Sequence, residues 1–175
     1  MSVVGGSREA TPEKGGEIPI NIPDEILTIA KDSMFKLGGV PPTVFVLGAK
    51  HKTYMLLPEG DTLPERVHIM TQAGVHLAKY GEVGEVEQVI YVSEGWSSPP
   101  RTPFIRPSQD PNRTEVLLIS ALDAKTNTQT LAMYACIRDA KQAVIDLKHL
   151  PLPEDGEVES PLLPAFLAGY RRFYR

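Results

Sequence analysis

Short apolar segments joined by polar turns are the feature that most limits how this chain can fold. Residues 114–122 and 130–137 are both rich in Leu, Ile and Val, and only the polar stretch 123–129 separates them. Two apolar runs of strand length on either side of such a turn are typical of a β-hairpin. The pattern therefore predicts two antiparallel strands, near 114–122 and 130–138.

Further segments extend this pattern on both sides. Residues 43–57 contain two short apolar runs around the polar residues 49–52, which predicts another hairpin. Residues 86–94 carry apolar side chains at both alternating positions, so both faces of this strand are expected to be partly covered. Residues 143–147 are predicted to add a strand at the edge of the sheet.

Residues 23–38 are predicted to form a helix, because their apolar residues recur at helical spacing. Pro23 is suited to the helix start, and the acidic residues Asp24 and Glu25 suit the positive end of the helix dipole. The pair Gly38–Gly39 ends the helix, and the prolines at 41–42 prevent its continuation.

Residues 62–80 are predicted to form a second helix. Thr62 and Glu65 match a capping box, in which each side chain accepts a hydrogen bond from the backbone N–H of the other residue. An apolar stripe continues along the segment, and Gly81 is a suitable residue to end it.

The predicted order is α-β-β-α-β-β-β, followed by the edge strand and a short helix at 165–175. This order predicts an α+β fold with a mainly antiparallel sheet and packed helices. It is similar to the element order of roadblock-type and other profilin-like domains. Residues 1–17 are expected to be a disordered leader, and 18–175 a single domain. The predicted core includes Leu77, Ile90, Leu118, Ile119, Met133 and Ile137.

Composition excludes several classes of protein. A net charge of −4 argues against a general nucleic-acid binder, which normally has a basic domain. The single cysteine, Cys136, rules out an internal disulfide, and its apolar neighbours predict a buried core residue. No segment approaches the roughly 18 apolar residues of a membrane-spanning helix, and the N-terminus lacks the apolar stretch of a signal peptide. The sequence therefore predicts a cytoplasmic protein with no membrane partner.

Known catalytic motifs are missing from the sequence. There is no phosphate-binding GxxxxGK[ST] loop, no dinucleotide-binding glycine pattern and no GxSxG nucleophile turn. The histidines lack metal-ligand spacing; His68 and His76, eight residues apart on one helix, are interpreted as a solvent-edge or hydrogen-bonded pair, with a metal or acid–base pair as the alternative. We expect no cofactor and no metal, and no catalytic residue can be assigned.

The proline-rich connection 97–113 is the most informative segment, because long connections within compact domains are usually functional or disordered. One interpretation is structural. Asp110 then forms an Asx turn with Asn112 and pairs with Arg113, while Trp96 fills the core.

The other interpretation is functional. Arginine suits carboxylate and phosphate groups, and an aromatic wall is typical of ligand pockets. Seven residues would then converge on a cleft for a small anionic or planar ligand: Glu94, Trp96, Arg101, Arg106, Asp110, Arg113 and Glu115.

The same stretch carries a resemblance. Glu94-x-Trp96, followed by Pro107-Ser108-x-Asp110-Pro111-x-Arg113-x-Glu115 and an apolar strand, resembles a pattern found in uncharacterised bacterial and phage-type proteins. The resemblance covers residues 93–122 and implies no activity, ligand or catalytic residue.

Three functional hypotheses follow. The first is a non-catalytic binding or assembly domain that self-associates through a sheet edge or a helix face. The second is an enzyme for a small anionic substrate, with Glu94 or Asp110 as acid or base. The third is an accessory nucleic-acid binder that uses the arginines of the segment 170–175, although these also suit the end of a terminal helix.

Overall fold

The computed structural model describes residues 22–99, 103, 105–152 and 160–174. The predicted leader, residues 1–17, lies outside this part of the chain. Within it, three α-helices and six strands follow one another as α1 (Asp24–Leu37), β1 (Thr43–Gly48), β2 (Lys52–Leu56), α2 (Leu63–Tyr80), β3 (Val86–Ser97), β4 (Thr114–Asp123), β5 (Gln129–Arg138), β6 (Val144–Leu150) and α3 (Leu162–Phe173).

The helix ends confirm the local signals read from the sequence. Gly38 adopts the left-handed conformation (φ 75°) and donates its N–H to the Met34 carbonyl, which ends α1. Both halves of the predicted capping box form at the start of α2: Glu65 N–H donates to Thr62 Oγ1 at 3.3 Å, and Thr62 N–H donates to Glu65 Oε2 at 3.1 Å. Gly81 follows α2 as predicted, but its backbone is extended rather than left-handed.

The six strands form one sheet in the order β2-β1-β3-β4-β5-β6, and every neighbouring pair is antiparallel. The predicted α+β class is therefore confirmed, as is the edge position of β6. Short turns explain three of the five pairs, β1–β2, β4–β5 and β5–β6, because strands joined by a few residues pair in opposite directions.

Helices cover both faces of the sheet. Because successive strand residues point to opposite faces, Val89 packs in the core against α2 and α3, whereas Ile90 packs in the core against α1. On its side, α1 presents a buried stripe of Ile26, Ala30 and Met34. The fold therefore has one helix on one face of the sheet and two on the other.

Two glycines allow α2 and α3 to lie unusually close together. A Cβ atom on Gly74 would lie within 2.1 Å of the Phe166 carbonyl oxygen, and one on Gly169 would lie 2.2 Å from the Thr71 carbonyl oxygen. Real Cβ atoms do not approach backbone this closely, so only glycine fits at these two points. The buried Tyr170 hydroxyl adds a hydrogen bond of 2.5 Å to the Gly84 carbonyl.

The core prediction is right for one face and partly wrong for the other. Leu77, Ile90 and Ile119 are buried as expected. Leu118 and Met133 are only half-buried, and Ile137 is exposed. These last three share the face of α2 and α3, but the two helices cover that face mainly over β1, β3 and the end of β4.

Candidate functional site

The last part of β3 lies beside a cleft and has a strand partner on only one side. Strand β3 runs to Ser97, but β1 pairs with it only as far as Val92, which lies opposite Thr43, the first residue of β1. The residues before Thr43 are Pro41 and Pro42, which lack the backbone N–H that a ladder needs. The last part of β3 therefore has β4 on one side and no strand partner on the other.

The backbone groups on this free side belong to Glu94 and Trp96. In an antiparallel ladder, successive residues direct their main-chain groups to opposite sides. The Ala124 N–H donates to the Glu87 carbonyl at 2.9 Å, and this bond fixes which residues of β3 face β4. By this alternation, Glu94 and Trp96 direct their N–H and C=O groups away from β4, where β1 has ended.

A cleft of about 1030 Å³ opens beside this free length of β3. Its walls come from the connections before β1 and after β2, from the first turns of α2, and from Pro107 and Ser108. Leu118 and Leu131 contribute apolar surface to its floor. Their partial exposure, which the sequence did not predict, is exposure to this cleft.

The cleft floor also carries three hydroxyl groups. Tyr91 and Ser120 lie directly opposite one another on β3 and β4, and Ser93 follows on the same face of β3. Ser93 is 8% exposed and lines the cleft, so its hydroxyl can contact a polar group bound there.

Carboxylates dominate the charged groups around the cleft. Glu59 and Asp61 line it from the connection after β2, and Glu94 lines it from β3. The Glu94 carboxylate also accepts the Val40 N–H at 2.5 Å. Arg66 lines the cleft as well, but its Nε donates to the Gly60 carbonyl at 2.7 Å. The described lining is therefore predominantly negative.

Glu115, a further cleft residue, is held by Arg138. The guanidinium donates to both carboxylate oxygens of Glu115, at 2.7 Å from Nε and 2.5 Å from Nη2. It also donates to the Gly38 carbonyl at 2.9 Å and the Gln142 carbonyl at 2.8 Å. Hydrogen bonding to Glu115 raises the pKa of Arg138 above its usual value. Arg138 thereby fastens the end of α1 to β4 and β5.

Cys136 lies near this pair and is partly buried rather than fully buried. Burial raises the pKa of its thiol from 9.0 to about 11, and the negative charge of Glu115 contributes to the rise. The thiol is therefore poorly reactive at neutral pH, because the thiolate is the nucleophilic form.

The loop before β4 forms the Asx turn that the structural interpretation expected at Asp110, but the expected pairing of Asp110 with Arg113 is not among the ion pairs of the described residues. This carboxylate is fully buried, and its Oδ1 accepts the Asn112 N–H at 2.8 Å as an Asx turn. Arg113 donates to the Ser108 carbonyl at 2.9 Å and stacks its guanidinium 4.5 Å from the centre of the Trp96 ring. Trp96 remains 45% exposed, so it does not fill the core.

The structure brings together three of the seven predicted site residues. Glu94, Trp96 and Glu115 line the cleft, and Arg113 reaches it only through its contact with Trp96. Asp110 supports the loop, and Arg106 is exposed. Arg101 lies outside the described residues. No convergence of arginines on the cleft is seen in the part of the chain that the structure describes.

Sequence reasoning missed the other polar residues of the cleft. Glu59 and Asp61 lie more than thirty positions before Glu94, and nothing local connects the two segments. For Ser93 and Ser120 a signal was available, because both interrupt apolar strands on the face that alternation assigns to the core. A buried hydroxyl at such a position indicates either a hydrogen bond or a cleft.

A second exposed feature is the outer edge of β2. The bonds from Gly48 N–H to the His51 carbonyl (3.0 Å) and from Leu57 N–H to the Pro42 carbonyl (2.8 Å) fix the alternation of the β1–β2 ladder. Lys52, Tyr54 and Leu56 therefore direct their main-chain groups outward.

Lys52, Tyr54 and Leu56 form the outer row of β2, and the side chains of this row are largely apolar and exposed. Tyr54 is 66% exposed and Leu56 is 64% exposed. Lys52 Nζ lies 3.8 Å from a carboxylate oxygen of Glu25 on α1. The outer edge of β2 thus combines free backbone groups with uncovered apolar surface.

Two of the three arginines in the segment 170–175 make contacts within the described structure, and Arg175 lies outside the described residues. Arg171 donates to the Ala124 carbonyl at 2.7 Å, and the Arg172 guanidinium lies 5.6 Å from the centre of the Phe173 ring. Their position in the last turn of α3 also suits the negative end of its dipole.

Among the described helices, none has the length and hydrophobicity needed to cross a membrane. Comparisons with known proteins gave no match: no family model, no curated protein and no solved structure is significantly similar to this chain. The assignment of a function therefore depends on the surfaces described above.

Proposed function

We propose that the protein is a non-catalytic binding and assembly domain that self-associates through the outer edge of β2. The observation that carries the proposal is the row Lys52, Tyr54 and Leu56, which presents unpaired main-chain groups together with exposed apolar side chains. Free strand edges of this kind pair readily with another strand.

The register of the row favours a second copy of the same chain. If two β2 strands pair antiparallel about a two-fold axis through Tyr54, the two Tyr54 side chains lie opposite one another. Lys52 of each copy then lies opposite Leu56 of the other, so no like charges meet. A symmetric interface must be self-complementary in this way.

The other edge of the sheet is better protected against such pairing. On β6, Asp146, Lys148 and His149 are exposed along the strand. Charged residues on an edge strand oppose edge-to-edge association. The outer row of β2 has one charge, on Lys52, which has a counter-charge in Glu25.

The remaining hypotheses have weaker support. An enzyme for an anionic substrate requires positive charge at the cleft, whereas Glu59, Asp61 and Glu94 line it. A nucleic-acid binder requires free arginines, whereas Arg171 donates to a backbone carbonyl of the domain. Neither observation favours a second candidate function.

The test compares two substitutions that place the same charge on the two sheet edges. Tyr54→Lys changes β2, and the control Ile145→Lys changes an exposed apolar residue of β6. Sedimentation velocity across the micromolar range should give a dimer for the wild type and for Ile145→Lys, and a monomer for Tyr54→Lys. Circular dichroism at a protein concentration low enough to dissociate the dimer should give equal melting temperatures for the two variants.

Two results would refute self-association through β2. One is a wild-type chain that remains monomeric throughout the concentration range. The other is a Tyr54→Lys variant that still forms the dimer.

A further inference from the structure

We propose that the cleft beside β3 binds an extended peptide segment that carries lysine or arginine side chains. This site is separate from the outer edge of β2, and the inference does not depend on self-association. It rests on three properties of the cleft: backbone groups of β3 without a strand partner, hydroxyl groups on the floor, and the carboxylates of Glu59 and Asp61.

The free backbone groups favour a peptide over other ligands. Glu94 and Trp96 direct their N–H and C=O groups into the space that β1 leaves after Val92. A peptide in extended conformation can satisfy all four groups by continuing the sheet in the place of β1. The exposed ring of Trp96 adds an apolar surface at the end of this edge.

The Ser93 hydroxyl offers a further contact for a polar group bound here. Ser93 is 8% exposed and lines the cleft beside Tyr91 and Ser120. A ligand amide or ammonium group placed over the floor can hydrogen-bond to its hydroxyl.

The charge of the lining selects a cationic peptide. Glu59 and Asp61 line the cleft, and no described lysine or arginine forms an ion pair with them. Glu94 also contacts the cleft, but its side chain lies on the face of β3 opposite to Ser93, where its carboxylate accepts the Val40 N–H and lies near the charge of Arg138. Arg66 is the one described cation of the lining, and it donates to the Gly60 carbonyl. Lysine or arginine side chains of a peptide can therefore pair with these carboxylates without displacing a cation of the protein.

The size of the cleft fits a short extended segment. Its volume of about 1030 Å³ lies at the upper end of the usual range for small-molecule pockets, roughly 300–1,000 Å³. The part of β3 beyond Val92 runs from Ser93 to Ser97, or about 17 Å at the usual rise of a strand. A peptide of about five residues matches this length.

The probe for the test is the blocked pentapeptide Val-Lys-Val-Arg-Val, which places its cations on every second residue. Binding to the full chain is measured by Trp96 fluorescence and by amide chemical shifts. We expect saturable binding with shifts at Glu94 and Trp96. The matched peptide Val-Glu-Val-Glu-Val should not bind, and N-methylation of the basic peptide backbone should abolish binding.

Three variants distinguish binding in the cleft from nonspecific attraction of a basic peptide to an acidic protein. The double variant Glu59→Gln/Asp61→Asn should weaken binding by about three- to tenfold, as expected for the loss of two exposed ion pairs. Asp146→Asn, which removes an exposed carboxylate of β6, should leave affinity within about twofold. Tyr54→Lys should also bind normally, because Tyr54 is not among the residues that line the cleft.

Three outcomes would overturn the proposal. They are the absence of saturable binding, equal binding of the acidic and basic peptides, and equal losses in the Glu59→Gln/Asp61→Asn and Asp146→Asn variants. Failure of self-association would leave each of these measurements unaffected, so the two proposals fail separately.

Discussion

Removal of Arg138 is the sharpest test of how the helix α1 is fixed to the sheet. The side chain is about four-fifths buried, and it donates to the Glu115 carboxylate and to the Gly38 and Gln142 carbonyls. Arg138→Met keeps an apolar stem but leaves these acceptors without their donor. We choose methionine so that loss of the charge and its hydrogen bonds dominates over loss of volume.

The magnitude follows from the burial of the pair. Breaking a fully buried ion pair by removing one partner costs about 3–5 kcal/mol, because the other charge stays buried and unpaired. Glu115 is 20% exposed on its side chain, which reduces this cost, so we expect about 3 kcal/mol. Arg138→Lys retains the charge but loses the planar fork, and it should fall between the wild type and Arg138→Met.

Urea unfolding followed by circular dichroism measures the change, and Lys36→Ala is the control. Lys36 forms an exposed pair with Asp32 at 2.9 Å, and its loss should cost only about 0.3–0.5 kcal/mol. Glu115→Gln and the double variant complete a mutant cycle. A cost for Arg138→Met within about 0.5 kcal/mol of that control, or a coupling energy near zero, would refute the assigned role of the pair.

Three further predictions concern other parts of the fold. Gly74→Ala should destabilise the protein by about 3 kcal/mol or more, because its Cβ would lie within 2.1 Å of the Phe166 carbonyl oxygen. The control Gln72→Ala, on the exposed side of α2, should cost little. Equal urea midpoints for the two variants would contradict the close packing of α2 and α3. Asp110→Ala should cost about 1–2 kcal/mol in urea unfolding, and Asp110→Asn less because it keeps an acceptor for Asn112 N–H. At pH 9, Cys136 should react with iodoacetamide far more slowly in the native protein than in the urea-unfolded chain. Its pKa in the folded protein is about 11, so the thiol stays protonated at this pH. Equal reaction rates in the two states would argue against burial of the thiol.

The sequence by itself determined the elements and their ends. The capping box of Thr62 and Glu65, the left-handed Gly38 and the alternation along β3 each depend on residues a few positions apart. Such interactions involve only residues that are close in sequence, so they can be predicted without knowing how distant segments pack. The three hairpins β1–β2, β4–β5 and β5–β6 followed as well, because their turns are short. The pairing of β3 with β1 and with β4 spans longer connections.

Only the tertiary structure decided which surfaces are covered. Alternation placed Leu118 and Met133 on an inward face, but the position of α2 and α3 over that face depends on the close approach at Gly74 and Gly169, far apart in sequence. The helices meet over β1 and β3, and the neighbouring floor remains open as a cleft.

The cleft itself has the same origin. It exists because β3 is longer than β1, and because the connection after β2 brings Glu59 and Asp61 to the side of β3 that β1 leaves open. Neither strand length nor the path of a connection is encoded by neighbouring residues; both depend on how distant segments pack. For the same reason the sequence predicted ligand contacts at the arginines of one loop, whereas the fold assembled carboxylates from three separate segments.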